Sequence, residues 1–115
     1  MEAQITYTLR LKKLHCYLSD EDDADEVFIK HAGKKIWPEG KFIKMKSGAT
    51  DLNVELKVVK EGKVEFEIWD YDFLTPNDLL GTFMIRADSM GGPYTTDMIK
   101  KDKGTSKYAL EWELM

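Results

Sequence analysis

The chain predicts an all-β fold, an antiparallel eight-stranded β-sandwich, and three observations carry that expectation. Apolar residues recur with a period of 2 through most of the sequence, which is the spacing of one face of a strand. The alternation is one-sided, so each strand has a buried face and a wet face, as antiparallel sheets do. Helical patterns are short wherever they occur. With 115 residues, 43% of them hydrophobic, the chain is expected to form a single domain over residues 1–115. A chain of this size buries about two-thirds of its unfolded surface and folds without staples.

The elements follow in order. Ile5, Tyr7, Leu9 and Leu11 alternate with Thr6, Thr8 and Arg10. The parity breaks at Lys12-Lys13 and resumes with Leu14, Cys16 and Leu18, so a bulge or bend is expected there. Val27 and Ile29 alternate with Phe28 and Lys30, and Trp37 and the segment to Met45 supply two short strands. Leu52, Val54, Leu56 and Val58 form one run, and Val64, Phe66 and Ile68 form the next. Lys60-Glu61-Gly62-Lys63 between them reads as a hairpin turn. Phe83 and Ile85 make a short strand, and Tyr108, Leu110, Trp112 and Leu114 make the last. Two weak helix signals remain. Thr95 to Lys101 reads as one or two turns ended by Gly104, and Thr75-Pro76-Asn77-Asp78 as a capping box.

The formal net charge of −4 is unevenly distributed. Asp20, Glu21, Asp22, Asp23, Asp25 and Glu26 put six carboxylates into seven residues, and Asp70, Asp72 and Asp78 add three more. Neither stretch contains a basic residue, so the remaining body is mildly basic. Nucleic acid is disfavoured as a partner at such patches. No apolar run reaches 18 residues, and Met1 to Leu18 lacks the apolar segment of a secretory signal. A single cysteine, Cys16, falls on the apolar parity and reads as a small core residue. His15 and His31 lack the companions that a zinc site needs. There is no nucleophile–base pattern and no Gly-rich phosphate loop, so a binding module is expected rather than an enzyme.

Asp70 and Asp72 end a strand two residues apart and so point the same way, and a short loop returns Asp78 toward them. Carboxylates converging on one point need a hard cation, and oxygen ligands favour calcium over zinc. An EF-hand is excluded, because loop position 6 counted from Asp70 is Thr75, and counted from Asp20 is Asp25, where Gly is required.

The stretch Ile68-Trp69-Asp70-Tyr71-Asp72-Phe73-Leu74-Thr75-Pro76-Asn77-Asp78-Leu79-Leu80-Gly81 resembles the third calcium loop of C2 domains. Each position of Asp-aromatic-Asp, five residues, Asp-apolar-apolar-Gly is matched, with the glycine expected to let the chain re-enter a strand. Ser19-Asp20 and Asp25-Glu26 resemble the first loop more loosely, since the family's usual Asp-Pro is replaced. The resemblance extends over residues 4 to 115. It implies a C2-like sandwich binding one or two calcium ions between loops 19–26 and 70–78. The implied ligands are Asp20, Asp22, Asp25 and Glu26 from the first loop. From the third come Asp70, Asp72 and Asp78, with the Tyr71 carbonyl and the Thr75 hydroxyl. Glu21 and Asp23 are left as solvated residues. Family members often bind phospholipid, and Phe73 and Leu74 would form the membrane-touching tip. The expected protein is a monomer, cytoplasmic or peripheral to a membrane. An alternative is a protein-interaction or structural module that calcium merely rigidifies, or that ignores calcium. Lys34, Lys35, Lys41, Lys44 and Lys46 read as a solvated basic face, or as an attraction for anionic lipid or an acidic partner.

Overall fold

The computed structural model describes residues 4–20, 23–101 and 104–115. Ten strands lie among them, in chain order β1 (Thr6–Leu18), β2 (Asp25–His31), β3 (Lys34–Trp37), β4 (Ile43–Met45), β5 (Gly48–Val59), β6 (Lys63–Asp70), β7 (Asp78–Arg86), β8 (Gly91–Asp97), β9 (Ile99–Lys100) and β10 (Lys107–Leu114). One sheet runs β5-β1-β10-β8, the other β3-β2-β6-β7-β9, and β4 pairs the same β2 edge beyond β3. Every pairing is antiparallel. The two sheets close over a core that includes Leu9, Leu11, Leu14, Ile29, Phe66, Ile68, Phe83 and Leu110. The antiparallel sandwich is as expected, with ten strands among the described residues where eight were expected.

The parity break at Lys12-Lys13 is a bulge within one continuous strand. Leu11 pairs Trp112 and Lys13 pairs Glu111, which leaves Lys12 as the extra residue. Burial therefore passes from Leu9 and Leu11 to Leu14 and Cys16. On the neighbouring β5 the irregularity is absorbed at Asn53, at φ 54°, a left-handed conformation that Asn tolerates better than most residues.

Two readings need correction. The turn at Lys60–Lys63 is tight, but it does not make a hairpin. β5 pairs β1 in one sheet, and β6 pairs β2 and β7 in the other. The turn is tied to neighbours instead, through Lys60 N–H to the Ile5 carbonyl (2.8 Å) and Glu61 N–H to the Ala87 carbonyl (2.7 Å). Period-2 patterning reports a buried face and is blind to which sheet that face belongs to. The second correction is the Thr95–Lys101 segment, which is strand: β8 and then β9. Its residues are mostly exposed, so apolar alternation is absent. Pro93 is tolerated there because β8 is an edge strand. The expected capping box at Thr75–Asp78 opens no helix: the chain bends at Phe73–Thr75, and β7 starts at Asp78.

Between β8 and β9 the chain crosses from one sheet to the other at Met98, whose N–H donates to the Tyr108 carbonyl (3.0 Å). Gly81 lies beneath this crossing, inside β7. A Cβ there would sit 2.4 Å from the Ile99 carbonyl oxygen and 2.6 Å from Met98 Cγ. The glycine at the end of the acidic motif therefore serves close packing of β9, and not a turn.

A second crossing contact lies deeper. Asp25, at the start of β2, is wholly buried, and one of its oxygens accepts the Tyr108 hydroxyl at 2.6 Å. Tyr108 belongs to β10, in the opposite sheet, so this bond ties the two sheets together. Burial, and then the bond to Asp25, push the phenol pKa well above its ordinary value, so the hydroxyl remains a donor. Burial likewise raises the neighbouring Cys16 thiol.

Gly81→Ala should destabilise the fold by about 1–3 kcal/mol or more, because backbone blocks the added methyl. A urea midpoint within error of wild type would contradict the packing role. Tyr108→Phe should cost about 1–3 kcal/mol by taking a donor from a carboxylate without solvent access. The same denaturation series checks it, with an unchanged midpoint as the contrary result.

Candidate metal centre

Strand register brings four connections to one end of the sandwich. Leu18 ends β1 opposite Lys107, where β10 begins, so Ser19 and Asp20 lie beside the 104–106 segment. Asp25 opens β2 opposite Met45, just before the 46–47 turn. β6 closes and β7 opens at the facing pair Asp70 and Asp78, on either side of residues 71–77. Both acidic stretches are therefore at this end, alongside two connections that carry no acidic motif.

Each described carboxylate has a distinct setting. Besides holding Tyr108, Asp25 accepts the Asp20 N–H with both oxygens, at 3.1 and 3.0 Å. Asp20 accepts the Thr105 N–H at 3.0 Å and the Thr105 hydroxyl at 3.4 Å. Asp70, 6% exposed, accepts the Glu26 N–H at 2.8 Å. The Glu26 carbonyl in turn accepts the Tyr71 N–H at 2.7 Å, so loops one and three are stitched together by one backbone-to-side-chain bond and one backbone-to-backbone bond. Asp72 caps its own loop, accepting the Leu74 N–H at 3.0 Å and the Thr75 N–H at 3.3 Å. The Thr75 hydroxyl, followed by those two amides, holds the Asp72 pKa below the usual carboxylate value. This clamp is present at neutral pH and is lost as pH falls through the depressed value. Asn77 Oδ1 accepts the Asp72 N–H at 2.9 Å. Asp22 lies outside the described residues, as does Glu21; Asp23 is exposed.

Asp78 is exposed and faces Asp70 directly across β6 and β7. Like charges opposite one another on neighbouring strands repel. Asp78 also shares a cleft of about 230 Å³ with Asp20, Lys101, Gly104 and Ser106. Ser106 is 1% exposed, and its hydroxyl oxygen has no hydrogen-bond partner among the described residues. Such an orphan is uncommon in a folded interior and calls for an explanation. Among the described residues no three His, Cys, Asp or Glu side chains already form a metal-holding group. The cleft nonetheless fits a hard cation in its donor chemistry, with two carboxylates from different loops and one unused neutral oxygen.

Phe73 and Leu74 project from the tip, 82% and 87% exposed. Three lysines gather elsewhere, beside the second sheet. Lys30 lies 4.9 Å from the Trp69 ring and Lys41 5.9 Å from the Tyr71 ring. Those two lysines and Lys35 line one shallow depression with Phe28 and Tyr71. Sequence reasoning missed Lys30 because its outward parity on β2 joins it to lysines distant in the chain. It also missed Lys101, Thr105 and Ser106, for which the sequence carries no motif. Tyr108 was legible as a core residue, whereas its hydroxyl contact across the sheets was not.

No family model and no curated protein matches the chain. Solved structures do. The first C2 domain of plant extended synaptotagmin 1 matches 98% of this chain and 96% of its own, at 18% identity and a TM-score of 0.56. Human GIVD cytosolic phospholipase A2 matches 99% of this chain at 16% identity and a TM-score of 0.52. This chain spans 17% of that enzyme's length. At such identities the likeness is one of fold, and the fold of this chain is that of a C2 domain.

Proposed function

We propose that the protein is a calcium-binding module that takes one or two ions between loops 19–26 and 70–78 and attaches reversibly to phospholipid. It acts as a binding module and not as an enzyme, in the cytoplasm or at a membrane surface, as a monomer. The observation that carries the reading is the meeting of Asp20 and Asp78 at one cleft, with Asp70 facing Asp78. Calcium, when bound, supplies positive charge that relieves this repulsion. Asp20 and Asp78 would contact it first, and Asp70, Asp72, Glu26, the Tyr71 carbonyl and the Thr75 hydroxyl lie on the flanking segments. Asp25 belongs to the ligand set in this reading, though its described contacts are with Tyr108 and the Asp20 amide. Two ions would bring the formal net charge from −4 to zero, enough to switch adhesion without a large movement.

A second reading has its own support. Asp20, Asp25 and Asp72 already accept hydrogen bonds that order the loops. Loops held in this way serve a protein-interaction or structural module that does not require calcium.

Chelator-stripped protein should gain about 2.7 kcal/mol per independent site at calcium 100 times the dissociation constant. That raises the melting temperature by several degrees. Asp70→Asn and Asp78→Asn should each remove most of the gain. A melting temperature indifferent to millimolar calcium would favour the second reading.

At a membrane, full burial of Phe73 and Leu74 contributes roughly 1.5–3 kcal/mol each. The acidic first loop opposes anionic lipid by about 1 kcal/mol per charge. Co-sedimentation should therefore show weak calcium-dependent binding to neutral liposomes, with little added by phosphatidylserine, and loss in Phe73→Ala/Leu74→Ala. Strong binding that survives the double substitution would move the contact to the Lys30–Lys35–Lys41 face.

A further inference from the structure

The connection between β9 and β10 has no acidic motif, yet it walls the same cleft as the acidic loops. Lys101 is anchored at its base by its N–H to the Leu80 carbonyl, 3.1 Å, and its residue lines the cleft with Asp20 and Asp78. Thr105 holds one Asp20 oxygen through its N–H. A Cβ on Gly104 would approach that same oxygen to 3.4 Å, so the strand-to-strand connection runs close against the carboxylate. Next along the chain is Ser106, buried, with its hydroxyl oxygen unpartnered among the described residues.

A buried hydroxyl without a partner is unfavourable unless something else satisfies it. Ser106 adjoins two cavities. One holds Asp20 and Asp78, and the other is bordered by Tyr17, Asp97, Lys100 and Lys107. A cation is attracted to the first. There the hydroxyl oxygen can add the kind of neutral donor that calcium accepts beside carboxylates. Lys101 brings a positive charge to the same walls. A positive charge on the wall weakens the pull of the two carboxylates on an incoming ion.

We propose that this connection is a fourth wall of the calcium site, with the Ser106 hydroxyl as a ligand and the Lys101 ammonium as a like charge that lowers the affinity for the ion. The proposal rests on the calcium-binding reading above and adds two residues outside the acidic loops. It makes the calcium affinity a property of residues 101 and 104–106 as much as of the carboxylates.

The test is calorimetric titration of the chelator-stripped full chain with calcium chloride. Wild type, Ser106→Ala, Lys101→Met and Lys63→Met are compared, with the metal-free melting temperature of each. Lys63 opens β6 at the opposite end and controls for the change in net charge. Ser106→Ala should keep or raise the metal-free melting temperature, since it deletes an unsatisfied group, while calcium binds about tenfold more weakly. Lys101→Met should bind calcium about threefold or more tightly than Lys63→Met does. Unchanged calcium affinity in Ser106→Ala overturns the ligand role and leaves a bound water as the partner of the hydroxyl. A Lys101→Met affinity equal to that of Lys63→Met overturns the role of the Lys101 charge. Either result leaves the calcium reading intact if wild type binds, whereas a wild type that binds no calcium overturns both.

Discussion

The bond from the Tyr108 hydroxyl to the buried Asp25 carboxylate is the constraint on which the acidic end depends. It joins β10 of one sheet to β2 of the other at 2.6 Å, directly under the loops. The same carboxylate receives the Asp20 amide, and Asp20 receives the Thr105 amide. One buried charge thus orders the end of β1, the start of β2 and the approach to β10. A carboxylate withdrawn from water is tolerated only when donors surround it. These donors come from separate segments, so the local fold is a condition of keeping Asp25 buried.

From that anchor the other carboxylates divide by role. Asp70 and Asp72 organise backbone, the first by joining loop three to Glu26 and the second by capping residues 74 and 75. Asp78 extends into the cleft it shares with Asp20. A loop whose shape is already held by hydrogen bonds loses less entropy when it binds a ligand. The acidic tip carries Phe73 and Leu74, while Lys30 and Lys41 lie over the Trp69 and Tyr71 rings, with Lys35 beside them in the same depression.

Much of the fold was legible because burial leaves a period-2 trace. The β1 bulge was visible at Lys12-Lys13 because the inward set changes parity there. β8 was not visible, since an edge strand with exposed Gly91, Gly92 and Pro93 has no inward set to read. The Lys60–Lys63 turn looked like a hairpin because adjacency in sequence carries no information about sheet membership. At the site, Asp70 to Gly81 was legible as a motif, but the reason for its glycine was not. Gly81 answers to Met98 and Ile99, which lie on a segment read as helix. Ser106 and Lys101 were illegible for a related reason. Their relevance arises from the pairing of Leu18 with Lys107, which brings the β9–β10 connection to the acidic loops.

The central claim is that a divalent cation with a preference for irregular oxygen shells belongs at this end of the sandwich. Its most direct measurement is a backbone amide NMR titration of the metal-free protein with calcium and, separately, with magnesium. Calcium tolerates six to eight oxygens at uneven angles, whereas magnesium holds to an octahedron and keeps its waters. The account predicts saturable calcium shifts confined to residues 19–27, 46–51, 70–79 and 101–106, with much weaker responses to magnesium. Equal, non-saturating responses to both metals would contradict it, and would reduce the acidic loops to a charged surface with its ion atmosphere.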